Sequence, residues 1–280
     1  MQGHLLVTAR LRTTARWIVA AAIAVLAGAL PAHAFDQQHA AWTALLARHV
    51  HDLPDGHASR VDYAGMARDR AELQAVLSAY GTVTHAQFDT WTRAEREAFL
   101  IDAYNAFTIE KVLTRYPGLR SIRDFGMLFG NPWKDRFFML LGDRASLDDI
   151  EHGMLRKGYE EPRIHVALVC AAAGCPMLRS EAYVADRLDA QLEDQMRRFL
   201  SDRSRNRYDP AAGRLEVSRI FEWYEADFGH GWHGYDSVPG MLARYADLLA
   251  DAPADRERIR ERQAPVAFLD YDWALNDLTR

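Results

Sequence analysis

The chain has 280 residues, of which 49% are hydrophobic, and its formal net charge is −5 at neutral pH. This length allows one large domain or two small ones, and the hydrophobic fraction allows a packed core. The acidic balance argues against nucleic acid or an anionic membrane surface as the main partner. Two cysteines are too few for a fold that disulfides hold together, so stability must come from packing.

The first 34 residues have the pattern of a secretory signal peptide. Three arginines precede an apolar run over residues 17–30, which is too short for an ordinary spanning helix. Ala32-His33-Ala34 then matches the usual cleavage pattern, so we expect a periplasmic or secreted protein that begins at Phe35. The alternative is an uncleaved anchor. Removing the three arginines changes the net charge from −5 to −8, and no later stretch is apolar enough for an integral membrane segment after processing.

Hydrophobic periodicity and the positions of glycine and proline predict helices interrupted by a few short strands. Helices are predicted over 38–50, 66–80, 93–116, 147–156, 184–200 and 239–249, a helix or turn over 220–228, and extended segments over 60–63, 136–141, 163–170, 215–217 and 266–271. The strands are scattered and do not alternate regularly with the helices. The pattern therefore predicts an α+β fold: a single globular domain over 35–280, mainly helical, with a small, mostly antiparallel sheet.

The segment Ile164–Pro176 contains both cysteines of the chain and a histidine at the start of an apolar run. In a straight strand, residues five positions apart face opposite sides of the sheet. His165 and Cys170 would therefore not meet unless a bulge intervened. Cys175 follows in a loop, between a glycine that allows backbone freedom and a proline that favours extended structure, so it is the better partner for His165.

Several interpretations of these three side chains remain open. His165 could lower the pKa of the Cys175 thiol and make a thiolate nucleophile available. In an oxidising compartment, Cys170 and Cys175 could instead form a disulfide, which would contribute on the order of 2 kcal/mol through loop entropy. A zinc site with His165 lacks the usual cysteine spacing and an evident fourth ligand. Inert burial of the thiols is the remaining alternative.

The long predicted helix over 93–116 carries a polar stripe. Glu95, Asp102 and Asn105 lie within about 80° of one another, because each helical residue advances by about 100°. Their apolar neighbours indicate a buried helix, in which polar groups need partners. Because acids commonly orient imidazoles, we expect Glu95 or Asn105 to reach His165 or its neighbours. The alternative is a structural network that caps a loop.

Two further segments have weaker functional signals. The segment 147–156 includes acidic residues that favour the helix dipole, and its Glu151 and His152 could approach the same site. The aromatic segment 220–228 is interpreted as core with a polar edge.

Short motifs are spread in order over nearly all of the mature chain. They are Arg60–Tyr63, Arg93–Glu95, Asn105–Ile109, Pro132–Lys134, Leu147–His152, Arg163–His165, Gly174–Pro176, Ser218–Tyr224 and Phe268–Trp273. By these motifs the chain resembles the domain-of-unknown-function family 547, which occurs in exported bacterial proteins and in plants. The resemblance implies membership of this family but does not imply an activity.

Two positions depart from the usual pattern of that family. The family's Trp-Ile-Asn is Leu100-Ile101-Asp102 in this chain, and its serine after the apolar run is Ala172. In element order the chain also resembles papain-like and transglutaminase-like cysteine enzymes, and this resemblance implies a papain-like fold. In those enzymes the nucleophile opens the central helix, where this chain has Glu95.

The sequence therefore predicts a pocket that combines thiol, imidazole and polar side chains. The candidate catalytic residues are Cys175, His165, Glu95, Asn105 and Cys170. The leading hypothesis is a cysteine-dependent acyl hydrolase or transferase acting on a peptide-like or thiol-containing ligand. Cys175 would attack, His165 would act as base and Glu95 would orient the imidazole, while backbone amides near Gly174 would supply an oxyanion donor.

The alternative is a non-catalytic envelope binding protein that uses the same pocket, with Cys170 and Cys175 joined as a disulfide. Under either hypothesis the expected partner is a small-molecule or peptide ligand. No cofactor or metal is assigned, and the sequence does not specify an oligomeric state.

Overall fold

The computed structural model describes residues 34–126 and 130–279. The predicted signal peptide lies outside the described residues, apart from its last residue, Ala34. From Phe35 onward the chain forms one compact unit. Within the two described ranges, no helix is long and apolar enough to cross a membrane.

Helices account for most of the regular structure. The α-helices are Ala40–His49, Tyr63–Arg68, Arg70–Thr82, His85–Phe88, Arg93–Leu113, Arg156–Gly158, Ile164–Ala167, Leu188–Ser201, Ile220–Trp223, Val238–Arg244, Ala246–Leu249 and Pro253–Arg260. Short 3₁₀ turns occupy Ile122–Phe125, Pro132–Lys134, Ala185–Arg187 and Trp232–Gly234. Asp149–Leu155 is a wide, π-type helical turn.

The strands are short and form small separate sheets in the described part of the chain. Val50–Asp52 pairs antiparallel with Ser59–Val61, and Phe138–Leu140 pairs antiparallel with Asp143–Ala145. Arg214–Val217 pairs antiparallel with Arg207–Asp209 on one side and parallel with Val266–Phe268 on the other. The prediction of a mainly helical α+β fold with small, mostly antiparallel sheets is confirmed.

The long central helix, Arg93–Leu113, begins with a reciprocal cap. Thr92 Oγ1 accepts a hydrogen bond from Glu95 N at 3.2 Å, and Glu95 Oε2 accepts one from Thr92 N at 2.7 Å. Such a capping box satisfies two backbone donors that the first turn leaves unpaired. Nearly every residue of the helix from Glu97 onward is buried, so the helix runs through the core and can hold polar groups there.

The predicted strand over 163–170 is wrong, because this segment contains a helical turn, Ile164–Ala167. His165 N donates to Pro162 O, and Leu168 N donates to Ile164 O. A short apolar run does not distinguish a buried strand from a buried helical turn, and Pro162 is compatible with the start of a helix. The argument that His165 and Cys170 face opposite sides of a strand therefore does not apply.

Several other element boundaries differ from those predicted. The helix predicted over 66–80 is two helices that meet at Asp69, and the one predicted over 239–249 is interrupted at Tyr245. The helix Pro253–Arg260 was not predicted. Its polar composition gives a weak apolar stripe, in which Ile259 is the buried residue.

The buried apolar side chains form two clusters. One surrounds the central helix, and the other packs around Leu188–Ser201 and the C-terminal helices. The helical turn Ile164–Ala167, which we call the His165 turn, contributes to both: Ile164 belongs to the first cluster and Val166 to the second. The His165 turn therefore lies where the two clusters meet.

Candidate functional site

A cavity of about 220 Å³ is lined by residues from several distant parts of the chain. The His165 turn and both cysteines form part of its wall, and the wide turn Asp149–Leu155 contributes Glu151 and His152. Aromatic side chains supply much of the remaining wall: Tyr104, Trp133, Trp223, Tyr224, Tyr271 and Trp273. Because apolar walls with a few polar groups are typical of ligand sites, this cavity is the candidate functional site.

His165 is buried and held by an acid that the sequence analysis did not identify. Its Nε2 donates to Asp227 Oδ2 at 2.7 Å, and its ring stacks on Tyr224 with centroids 3.7 Å apart. Arg156 binds both carboxylate oxygens of Asp227, at 2.6 and 2.8 Å. His165 Nδ1 is buried and has no hydrogen-bond partner among the described residues.

The surroundings of the pair favour a neutral imidazole beside a charged carboxylate. Burial lowers the pKa of His165, although the hydrogen bond with Asp227 partly opposes this. Burial alone would raise the pKa of Asp227, but hydrogen bonds from His165 and Arg156 outweigh it and lower that pKa below its usual range. An ionised carboxylate can only accept, so the proton is assigned to Nε2. Nδ1 then carries a free lone pair and can act as a base.

Cys170 and Cys175 are joined as a disulfide, with Cα atoms 6.3 Å apart. Cys175 Sγ also accepts hydrogen bonds from Cys170 N and from the Tyr271 hydroxyl, each at 3.0 Å. Of the alternatives that the sequence left open, the disulfide is the form in this structure. In this form neither sulfur is a free thiol.

The loop that carries the cysteines is attached to the C-terminal segment. Ala173 N donates to Ala274 O at 2.7 Å, and Gly174 N donates to Asp272 O at 2.8 Å. A Cβ atom on Gly174 would lie only 2.9 Å from Asp272 N, so this close approach requires glycine. The expectation that amides near Gly174 form an oxyanion donor is wrong, because their hydrogen bonds are already used.

Asn105 lies where the sequence predicted, beside the neighbours of His165. Its Nδ2 donates to Ala167 O at 3.0 Å, and its Oδ1 accepts from Val169 N at 2.9 Å. It fastens the end of the His165 turn to the central helix. It does not line the cavity, so its role in the described structure is to position the turn.

Glu95 does not orient the imidazole, because its carboxylate caps the central helix and the acid at His165 is Asp227. Asp102, the position that departs from the family pattern, is buried and pairs with His39 Nδ1 at 2.9 Å. The polar stripe of the helix therefore has separate functions along its length: Glu95 is a cap, Asp102 contacts a buried histidine, and Asn105 anchors a turn.

Glu151 and His152 do reach the cavity, as the sequence allowed. Glu151 is buried and accepts a hydrogen bond from the Tyr224 hydroxyl at 2.5 Å, and His152 Nδ1 lies 2.9 Å from Arg156 Nη1. Asp227 and Tyr271 were missed. Asp227 lies in the aromatic segment 220–228, which was interpreted as core, and Tyr271 lies in the segment 266–271, which was predicted as a strand. The signal for both was a polar group among aromatic residues.

Within the described residues, no group of three or more His, Cys, Asp and Glu side chains is placed to hold a metal ion. The fold and the site thus define a class: an α+β domain whose aromatic cavity holds a disulfide beside a buried His–Asp pair.

Residues 88–200 match the model of the family described as Protein of unknown function, DUF547. This segment includes the central helix, the His165 turn and both cysteines, and the match supports the resemblance to that family that the sequence motifs indicated. Asp227 and Tyr271 lie beyond the matched segment. No curated protein and no solved structure gives a match, so the resemblance to papain-like enzymes in element order stays a prediction.

Proposed function

We propose that this protein is a cysteine-dependent acyl hydrolase or transferase that acts, in its reduced form, on a peptide-like or thiol-containing ligand. The observation that carries the proposal is the position of the base. The His165 imidazole, oriented by Asp227 and with Nδ1 unpartnered among the described residues, lines the same cavity as Cys175. An oriented imidazole beside a thiol is the arrangement that activates a cysteine nucleophile.

The reaction begins when a thiol reductant gives two electrons and two protons to the disulfide. Cys175 then loses its proton to His165 Nδ1, and its sulfur attacks the acyl carbonyl carbon. The bond from that carbon to the leaving nitrogen, oxygen or sulfur breaks, and the leaving group takes the proton from His165. Water releases the acyl group from the thioester in a hydrolase, and a second acceptor releases it in a transferase.

Two residues take the roles that the sequence analysis gave to others. Asp227 orients the imidazole and stabilises its protonated form in place of Glu95. Tyr271, whose hydroxyl lies 3.0 Å from Cys175 Sγ, is a side-chain donor close to the reacting sulfur and is suited to stabilise the oxyanion in place of the amides near Gly174. Because the predicted signal peptide directs the chain to an oxidising compartment, the disulfide is its resting form there.

The second candidate function is a non-catalytic envelope binding protein in which the disulfide is permanent. The chain's two cysteines are joined in this structure, and this favours it. The two candidates differ in one chemical requirement, since a disulfide sulfur cannot attack an acyl carbon whereas a binding protein needs no thiol.

The test is acylation of the protein by an activated ester, p-nitrophenyl acetate, followed by intact mass and peptide mapping. We expect an acetyl group on Cys175 after reduction and none before it. Cys175→Ser abolishes the adduct, and His165→Ala slows its formation by about 100-fold or more. His85→Ala, at an exposed histidine outside the cavity, serves as the matched control and acts like the wild type.

Acylation that is equally fast with His165→Ala would contradict the proposed mechanism. Reduced protein that forms no acyl adduct, although it is folded, would favour the binding function instead.

A further inference from the structure

The aromatic wall of the cavity includes rings that are open to a ligand. Trp223, Trp273 and Tyr271 pack on one another with centroids 4.6 to 5.7 Å apart, and Trp133 meets Trp273 edge to face at 6.1 Å. Trp223 is nevertheless 43% exposed. A cluster of three indoles beside a cavity offers electron-rich ring faces, which attract cations as well as apolar groups.

The charged groups of the cavity wall are acidic. Glu151 and Asp148 both line it, and among the described residues of the wall there is no lysine or arginine. Burial lowers the pKa of His165, and this favours its neutral form. Arg156 lies close by, but its guanidinium already binds both oxygens of Asp227. A ligand that enters therefore meets two carboxylates on the wall, whereas the nearby Arg156 is already paired with Asp227.

The chain itself already places cations on these rings. The Arg123 guanidinium lies 5.0 Å from the centre of the Trp273 ring, and that of Arg156 lies 5.2 Å from the Tyr224 ring. Both distances are within the range of cation–π attraction. These contacts show that rings of this wall attract positive charge within the chain itself.

We propose that this cavity binds an ammonium group, a primary or quaternary amine carried by the ligand. Indole rings provide the cation–π surface, and Glu151 and Asp148 provide the opposite charge. For the acyl chemistry proposed above, on which this substrate assignment rests, the substrate is then an acyl compound with a positively charged amine. An anionic ligand would be repelled by these carboxylates, and a purely apolar ligand would gain nothing from them.

The test is a calorimetric titration of the oxidised, full-length mature protein with choline. The comparison ligand is dimethylbutanol, in which a carbon atom replaces the ammonium nitrogen of choline. The two probes have nearly the same shape, so a difference in affinity measures the effect of the charge. We expect choline to bind roughly tenfold more tightly than the neutral probe, as cation–π and carboxylate contacts together allow.

Variants identify the groups that are responsible. Trp273→Leu and Asp148→Asn should each lower the affinity for choline several-fold and leave the weak affinity for the neutral probe nearly unchanged. The matched controls are Trp91→Leu and Asp143→Asn. Trp91 packs in a different aromatic cluster, and Asp143 is an exposed acid that does not line this cavity.

Equal affinities for the two probes, or loss of choline binding in the control variants alone, would overturn the proposal. Because the oxidised protein has no free thiol, the titration measures choline binding separately from the acyl chemistry. Choline binding without any acylation would therefore sustain the ammonium site and refute the acyl chemistry. Acylation of the reduced protein, without tighter binding of choline than of the neutral probe, would sustain the acyl chemistry and refute the ammonium site.

Discussion

The sulfur of Cys175 lies among hydrogen-bond donors, and this determines what it can do once it is reduced. The amide of Cys170 and the hydroxyl of Tyr271 both donate to it at 3.0 Å. Donors at this distance stabilise negative charge on sulfur, so they favour the thiolate. Of the two cysteines, Cys175 is therefore the one expected to react first.

Tyr271→Phe removes one of these donors and leaves the ring in place. In the reduced protein, we expect Cys175 to be alkylated by iodoacetamide several-fold more slowly at about pH 6, because the thiol pKa rises. Mass spectrometry of the alkylated peptide measures the rate. Tyr208→Phe, a tyrosine whose hydroxyl bonds to Arg258 outside the cavity, is the matched control. Equal rates in Tyr271→Phe and the wild type would show that the hydroxyl does not tune the sulfur.

Glu97 is a second residue whose protonation is set by its surroundings. It is buried on the central helix, and its Oε1 has no hydrogen-bond partner within the described ranges. Burial, reinforced by the nearby charge of Glu161, raises the pKa of Glu97 from its usual 4.5 to about 7. The neighbouring cations Arg93, Arg163 and His233 oppose this shift without cancelling it. The folded protein therefore retains a proton that the unfolded chain releases.

A carboxyl group with a raised pKa makes the folded state less stable as the pH rises from its unfolded pKa to its folded one. Glu97→Gln has no proton to lose. As the pH rises from about 5 to about 8, the free energy of unfolding of the wild type should therefore fall by about 2–3 kcal/mol relative to that of Glu97→Gln. Urea denaturation at both pH values measures this. Glu110→Gln, on the same helix at a residue paired with Arg70, should show no such change relative to the wild type, and a constant difference for Glu97→Gln would refute the prediction.

At the scale of elements, the site depends on how the central helix holds the His165 turn. Asn105 provides the link, since it bonds to Ala167 O and to Val169 N in the chain that leads to Cys170. Both contacts are buried, and a buried backbone group that loses its partner costs more than the bond itself contributes. The order of the turn should therefore depend on this one side chain.

Asn105→Ala should lower the free energy of unfolding by about 2–4 kcal/mol, because two backbone groups lose their partner. Thr108→Val is the control on the same helix: the Thr108 hydroxyl is buried without a partner in the described structure, so no hydrogen bond is lost and the replacement should cost less than about 1 kcal/mol. Urea denaturation compares the two. A loss no greater for Asn105→Ala than for Thr108→Val would show that the turn is held by packing alone.

The sequence predicts elements well where the signal is local. The start of the central helix could be predicted because Thr92 and Glu95 form a capping box within four residues. The segment 163–170 could not, because an apolar run has no period that separates a strand from a turn. Besides its own backbone hydrogen bonds, this segment is held by Asn105, about sixty residues earlier in the chain.

At the scale of the whole molecule, the cavity brings together residues that are far apart in the described chain. Tyr104, His165, Tyr224 and Trp273 come from separate segments, and Asp227, which holds His165, lies 62 residues from it in sequence. The sequence pointed to the cysteines, His165 and Asn105 because they share one motif or one polar stripe. It could not identify Asp227 as the partner of His165, since only tertiary packing determines which acid meets the imidazole.

The last prediction concerns the mature protein as a whole. If the first 34 residues direct export, the chain isolated from outside the cytoplasm should begin at Phe35 and hold the Cys170–Cys175 disulfide. Intact mass should then correspond to residues 35–280 less two hydrogen atoms, and a reductant should restore them. Because the disulfide closes a short loop, its reduction should lower the free energy of unfolding by only about 2 kcal/mol, leaving the protein folded and able to react.

The control is the same chain made without residues 1–34 and kept in the cytoplasm, where it should be recovered as free thiols. An exported protein that retains the first 34 residues would show that the segment is an anchor. Exported protein with two free thiols would show that the disulfide is not the resting form and that the acyl chemistry does not need a reductant.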